Sequence, residues 1–267
     1  MKIINNFSEF HHFHPIIIKR LLMVLSIALG IALWQWASML PGIGMVIVGP
    51  VNVFETMVKN LNNGLLIRDI KASMSRVFSG FGLAFLVALP VAFLMGWYGI
   101  FRVILEPWIQ FFRTIPPIAL IPLVIVLMGI KESARVSVIF FCSFLVMVIA
   151  IYQGVINVDE VIIKAARTFG AKEHQIFLTI VIPASFPYIL VAARLGMSTA
   201  LTTLIASEMT GASRGLGNMI QEAALYFDMS RVILGIVVIG TIGLILDKTL
   251  LFLEKRLTQW QEVRKAT

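Results

Sequence analysis

Cysteine, histidine and charge are scarce in this chain. Its one cysteine, Cys142, leaves no partner for a disulfide or a thiolate metal site within the chain. Lying in the apolar run VIFFCSFLVMVIA, Cys142 reads as a small buried hydrophobe. The four histidines, His11, His12, His14 and His174, all fall in tails or loops, so a Ser-His pair has no place inside a span and an intramembrane hydrolase of that design is excluded. The first three read as a solvated or interfacial tail rather than a metal site, and no metal is expected. No G-x-x-x-x-G-K-[ST] string occurs, so the chain lacks a phosphate loop for ATP chemistry. Catalytic residues are not expected.

Charged residues make up 13% and hydrophobic ones 59%, where a soluble domain carries roughly one-quarter charged. That balance is one of an integral membrane protein. At about 20 apolar residues per helical span, 267 residues hold about six, and the fold class is all-α and polytopic. The formal net charge of +8 is spread over short loops and a basic tail, not gathered on one face, so it indicates membrane lipid and topology, with no nucleic acid partner.

Spans are expected at Leu21 to Leu40, Phe78 to Trp97, a third segment opening at Glu106, then Val136 to Val155, Tyr188 to Met209 and Val232 to Leu253. The first run is too long for a signal peptide and has no small-residue cleavage site. Residues 1–72 form a tail, the first span and an outer connection with short amphipathic helices. Residues 73–256 form a core of five spans, and 257–267 a polar tail. Pro90 should kink the second span. In the third segment Pro116, Pro117 and Pro122 each remove a backbone donor, so the segment must face protein or a water-filled path. An even number of spans puts both termini on one side. Lys and Arg number twelve on that side, counting Lys248 near the inner end of the sixth span, and eight on the other, which places both termini in the cytoplasm.

A polar break at 157–187 interrupts these runs on the cytoplasmic side. Asn157 and Glu160 stand in capping-box spacing, Ile162, Ala166 and Phe169 form an apolar stripe, and Gly170 can end the helix in the left-handed region. A second short helix from Lys172-Glu173 runs to Pro183 and Pro187, which return the chain to the membrane. Periodicity alone allows two readings, an amphipathic loop on the headgroups or a docking element.

The string KAARTFGAKEHQIFLTIVIP resembles the cytoplasmic signature of ATP-binding-cassette importer permeases, E-A-A, three residues, G, nine residues, I-x-L-P. Ala165, Ala166, Gly170, Ile180 and Pro183 match, Ile182 replaces the Leu, and Lys164 stands in place of the Glu. RTIPPIALIPLVIVLMGI and IASEMTGASRGLGNMIQ are similar to permeases of the taurine, alkanesulfonate and nitrate import group. The resemblance implies a type I, binding-protein-dependent, MetI-like permease fold in the bacterial cytoplasmic (inner) membrane. It implies a homodimer gripped by two ATP-binding subunits, which carry ATP and Mg, while this chain holds no cofactor. A periplasmic binding protein would deliver a small anion, taurine or a related sulfonate. ATPase docking falls on Lys164, Ala165, Ala166, Arg167, Thr168, Phe169, Gly170 and Ala171.

For the substrate pathway the candidates are Arg113 with Pro116 and Pro117, and Glu208. Arg113 belongs either to an anion path or near the cytoplasmic end, snorkelling or paired with Glu106; Arg194 poses the same choice. Glu208 either gates the path or orients Arg214, or makes an inter-helix or binding-protein contact. A self-contained secondary transporter would show paired inverted halves and buried titratable groups at mid-membrane, and neither is evident.

Overall fold

A computed structural model describes residues 15–42, 44 and 46–258; the three N-terminal histidines and most of the C-terminal tail lie outside them. The described secondary structure is helical. Helix α1 (Pro15–Ser38) is apolar and buries none of its residues from Arg20 to Ser38, touching the rest through a Trp34 Nε1 hydrogen bond to the Val48 carbonyl, 3.0 Å. Helix α2 (Pro50–Asn62) starts with proline at its first position, where no donor is lost. Gly64, at φ +69, turns the chain into α3.

Helix α3 (Leu65–Trp97) begins well before the expected Phe78 and absorbs Arg68, Asp69, Lys71 and Arg76. Charge placed that stretch outside the bilayer, but charge does not break a helix, and two of these side chains turn inward onto protein partners. Pro90 lies inside α3 without ending it.

The third segment is a broken span. Helix α4 (Gly99–Arg113) and helix α5 (Pro117–Met128) are bent by 102° at 114–116. It opens at Gly99 rather than Glu106, with Pro107 inside α4. The break falls where Pro116, itself followed by proline, is held extended at ψ 135 and cannot continue a helix.

Helix α6 (Glu132–Ile156) is the central element, with 56% of its apolar window buried. Helix α7 (Glu160–Thr168), a short α8 (Glu173–Ile176), a π turn (Phe177–Val181) and α9 (Ile182–Met209) follow. Helix α10 (Leu216–Leu225) folds back against α11 (Met229–Leu257). Among the described residues, five helices are long and apolar enough to cross a membrane, and six if the bent pair is one span.

Two stripes of small residues set the packing. On α3, Gly80, Ala84, Ala88, Ala92 and Gly96 recur every four residues, and the three alanines are fully buried. On α9 the series is Ala192, Gly196 and Ala200, with the fully buried Leu204 at the next step. A four-residue step keeps one face of a helix, and small residues on it let two backbones approach closely. Both stripes meet α6: a Cβ on Gly80 would overlap Ile139, one on Gly96 would strike Val155, and one on Gly196 would strike Met147. Cys142 is buried beside Ile121 and Val138.

Candidate functional site

The loop between α6 and α9 is built locally. Helix α6 runs on to Ile156 and uses Asn157 as its C-cap, so Asn157 does not start the next helix. Asp159 caps α7 instead, accepting from the Val161 amide at 2.8 Å. Glu160 does not reach back, but pairs with Lys164 at 2.7 Å, and this hydrogen bond holds the Glu160 carboxyl below the usual glutamate range. Gly170 sits at φ +84. Its amide donates to the Arg167 carbonyl at 2.9 Å and the Ala171 amide to the Ala166 carbonyl at 3.0 Å, which is a Schellman ending.

The inward face of α7 differs from the stripe expected. Ile163 and Ala166 pack with Val155, Val158, Ile176 and Val181, while Ile162 and Phe169 face out, Phe169 at 91% exposure. The register is set by the buried cluster below, which the local pattern of α7 does not contain. Of the docking residues, Lys164, Ala165, Arg167, Thr168, Phe169 and Gly170 are exposed, whereas Ala166 and Ala171 are half-buried. Arg167 holds Glu173 in a two-bond pair, 2.8 and 3.1 Å, fastening α7 to α8.

The second short helix does not stop at Pro183. From Glu173 to Met209 the chain is one helical rod of 37 residues, about 55 Å at 1.5 Å per residue. Pro183 has no N–H for the Thr179 carbonyl and its ring crowds it; the π turn at Phe177–Val181 widens the helix where that clash would fall.

Glu208 lies at the far end of this rod and is fully buried. Its carboxylate accepts from Ser73 Oγ at 2.8 and 3.0 Å, from Arg76 Nη1 and from the Gly217 amide at 2.8 Å. Arg76 also donates to both oxygens of Glu132 and, at 2.7 Å, to the carbonyl of Arg214. Arg135 donates to the Gly211 carbonyl at 2.6 Å. The Leu216 amide donates to Ser73 Oγ at 2.9 Å and the Gly215 amide to Asp69 at 3.3 Å. Buried charges survive when paired and hydrogen-bonded, and here they tie α3, α6, α9, the 210–215 turn and the start of α10 into one knot. Arg76, Asp69, Ser73 and Arg135 carry it without having been singled out. The sequence held one signal: Arg76 and Glu208 each continue a four-residue small stripe by one more step.

The remaining candidates separate. Arg113 is exposed at the end of α4, beside the exposed Pro116 and half-buried Pro117. Its neighbour Phe112 packs edge-on against Phe141 at 5.5 Å, nine residues into α6, so Arg113 lies alongside α6 between its two ends. Among the described residues it has no ion pair; Glu106 pairs with Arg102 at 3.1 Å. Glu208, sealed in the knot, does not line a path, and it meets Arg214 only through Arg76. Arg194 is held in ion pairs, with Asp247 at 3.0 Å and Glu254 at 3.1 Å, which join α9 to α11.

Comparison with known proteins gives a consistent result. The profile of the family described as "Binding-protein-dependent transport system inner membrane component" matches residues 80–259. A probable ABC transporter permease protein of Brucella abortus (strain 2308) is 50% identical over 242 residues, 90% of this chain and 96% of that protein. The taurine transport system permease protein of Escherichia coli (strain K12) is 34% identical, over 72% of this chain and 70% of that one. A nitrate import permease protein of Synechocystis sp. (strain ATCC 27184 / PCC 6803 / Kazusa) is 29% identical, over 86% of each. Among solved structures, an inward-facing form of the MetNI methionine ABC transporter matches with TM-score 0.60 at 20% identity, over 73% of this chain and 95% of that one, a likeness of fold.

Proposed function

This chain belongs to the family of binding-protein-dependent transport system inner membrane components, and from that premise we propose that it is the permease subunit of an ATP-driven importer in a bacterial inner membrane. It works as a homodimer with both termini in the cytoplasm, on two subunits that carry ATP and Mg. A periplasmic binding protein delivers a small anion. The observation that carries this reading is the loop at 157–187, a short capped helix that presents Ala165, Phe169 and Gly170 to solvent at the foot of a rod crossing the whole molecule.

The mechanism follows from that geometry. Closure of the ATP-binding subunits grips the two loops, and the Arg167–Glu173 pair together with the buried face of α7 makes each loop move with its rod. Two such rods rocking against each other open the path alternately to either side, a bistable repacking in which no bond in this chain is made or broken.

A sulfonate such as taurine is the favoured cargo, on the strength of the taurine relative and of Arg113. An ionised guanidinium in hydrocarbon costs roughly 2.5 kcal/mol or more, so an unpaired one alongside α6 between its ends belongs on a water-filled surface, where its planar fork suits a sulfonate. The nitrate relative supports a second reading, in which the same path carries a smaller inorganic anion.

Gly170→Asp tests the docking role. Asp tolerates the left-handed conformation better than most residues, so the permease should still insert, yet the new carboxylate stands on the gripped turn. Expected is loss of ATPase co-purification with permease abundance unchanged. Undiminished co-purification would overturn the docking assignment.

A further inference from the structure

Two cavities meet at Trp97, the last residue of the apolar helix α3. One, about 700 Å³, runs back along the end of α3 and is walled by Pro90, Phe93, Leu94, Phe177 and Ile182. The other, about 480 Å³, is faced by Arg102, Lys164 and Arg167, with Glu160 as the one carboxylate among its described lining residues. Both volumes fall within the roughly 300–1,000 Å³ of small-ligand sites. Trp97 lines both and lies 5.4 Å from the Phe177 ring, which meets Phe93 edge-on at 5.7 Å, so the apolar cavity has a packed aromatic wall. Arg167 lines the basic cavity and its partner Glu173 the apolar one. That ion pair is the rest of the border.

The basic cavity draws its cations from two elements distant in sequence, Arg102 from the first turn of α4 and Lys164 and Arg167 from α7. Glu160, Ile163, Lys164 and Arg167 recur at three- and four-residue steps and so share one face of α7. Ala165 and Phe169 lie on the opposite face, so the cavity is separate from the surface offered for docking. The Arg102 guanidinium rests over the Tyr152 ring at 5.5 Å. Each cation has a carboxylate of its own: Glu106 for Arg102 at 3.1 Å, Glu160 for Lys164 at 2.7 Å and Glu173 for Arg167 at 2.8 Å, and every one of these side chains is at least 36% exposed. Exposed pairs of this kind contribute little, so they yield to an anion that engages all three cations in charge-assisted hydrogen bonds at once.

We propose that the two cavities together hold one anionic phospholipid, its phosphate among Arg102, Lys164 and Arg167 and an acyl chain against Phe93, Leu94 and Phe177. A free phosphate would fill the basic cavity and leave the apolar one unused, whereas a lipid uses both. The change from apolar to basic falls at a tryptophan, the residue that collects where hydrocarbon meets headgroups. Three cations facing one carboxylate select an anionic headgroup over a zwitterionic one. That the lipid comes from the cytoplasmic leaflet, whose negative surface attracts basic segments, rests on the orientation proposed above. A phosphate shared by Arg102 and Arg167 ties α4 to the docking loop, so the movement of that loop depends on the lipid around it.

The test is binding to the full-length chain purified in detergent, read by native mass spectrometry with phosphatidylglycerol, phosphatidylcholine and inorganic phosphate as probes. Phosphatidylglycerol should bind about tenfold more tightly than phosphatidylcholine. Arg102→Gln should remove most of that preference and Arg102→Lys keep it, while Leu94→Trp, filling the apolar cavity from an exposed position, should weaken both lipids severalfold. Equal affinity of the parent for the two lipids overturns the site, and this comparison stands even if a substitution destabilises the chain. An unchanged preference in Arg102→Gln also overturns it. So does displacement of phosphatidylglycerol by millimolar inorganic phosphate beside full lipid binding in Leu94→Trp, which assigns the cations to a free anion. Binding is read without transport, so the lipid site and the import reading can each fail alone.

Discussion

Glu208 has no exposed surface, yet it is ionisable and lies one residue from the end of a long apolar helix. It is tolerable there because Ser73, Arg76 and the Gly217 amide all donate to it, and Arg76 is in turn shared with Glu132. Removing Arg76 leaves the Glu208 carboxylate buried without a counter-charge, at a cost of about 3–5 kcal/mol, whereas Arg76 without Glu208 keeps Glu132. Arg76→Ala should lower unfolding stability in detergent by about that much, and Glu208→Ala by less. The double change Arg76→Met with Glu208→Leu should lose clearly less than the two single losses together, because no orphan charge remains. Strict additivity in denaturant melts would show the two are not coupled. At the opposite end the charges matter less. Lys164 and Arg167 are each taken by an exposed carboxylate of the chain itself, so a partner would read the shape around Ala165 and Gly170 more than a single ion pair.

Helices α3, α6 and α9 form the rigid body between those ends, and small residues at four-residue steps decide how near they come. Ala88 is fully buried at the centre of the α3 stripe. Ala88→Leu adds volume inside the buried cluster that holds Leu145, Val148 and Ile151, and overpacking of this kind costs about 1–3 kcal/mol; a size-exclusion profile and melting curve of the detergent-purified protein should show it. A melt indistinguishable from the parent would mean that the stripe is loosely packed. The broken span and the π turn are the opposite kind of element. Each sits at a proline, Pro116 or Pro183, where the chain gives up regular hydrogen bonding to redirect or widen a helix.

On the scale of the whole molecule, one helical rod joins the docking loop to the ion knot, and the knot carries α10. On the proposed function, a movement of the docking loop would be carried along this rod to the knot. Reconstituted alone in liposomes, the chain should take up no labelled taurine or other anion under an imposed ion gradient. Uptake without ATPase subunits, at rates above empty liposomes, would overturn the importer reading.

Composition and apolar run length by themselves determined an all-helical polytopic membrane protein, because a hydrocarbon slab dictates the length of what crosses it. The glycine-centred loop was legible for a similar reason: caps and turns depend on residues a few positions apart. The start of α7 was misplaced by two residues even so, since Asn157 was already committed to the helix before it. Its inward face was misread because the buried cluster that fixes it comes from α6, α8 and the π turn. Only the tertiary structure decided what the charged residues do. Arg76, Asp69 and Arg135 were not singled out, Glu208 read as either a gate or a contact between helices or with a binding protein, and Arg194 as either a pathway or a snorkelling residue. In the fold, Arg76 meets Glu208 across 132 positions of sequence, and Arg194 finds Asp247 across 53. A charge near a membrane is interpretable only through its partner, and partners that far apart are chosen by helix packing.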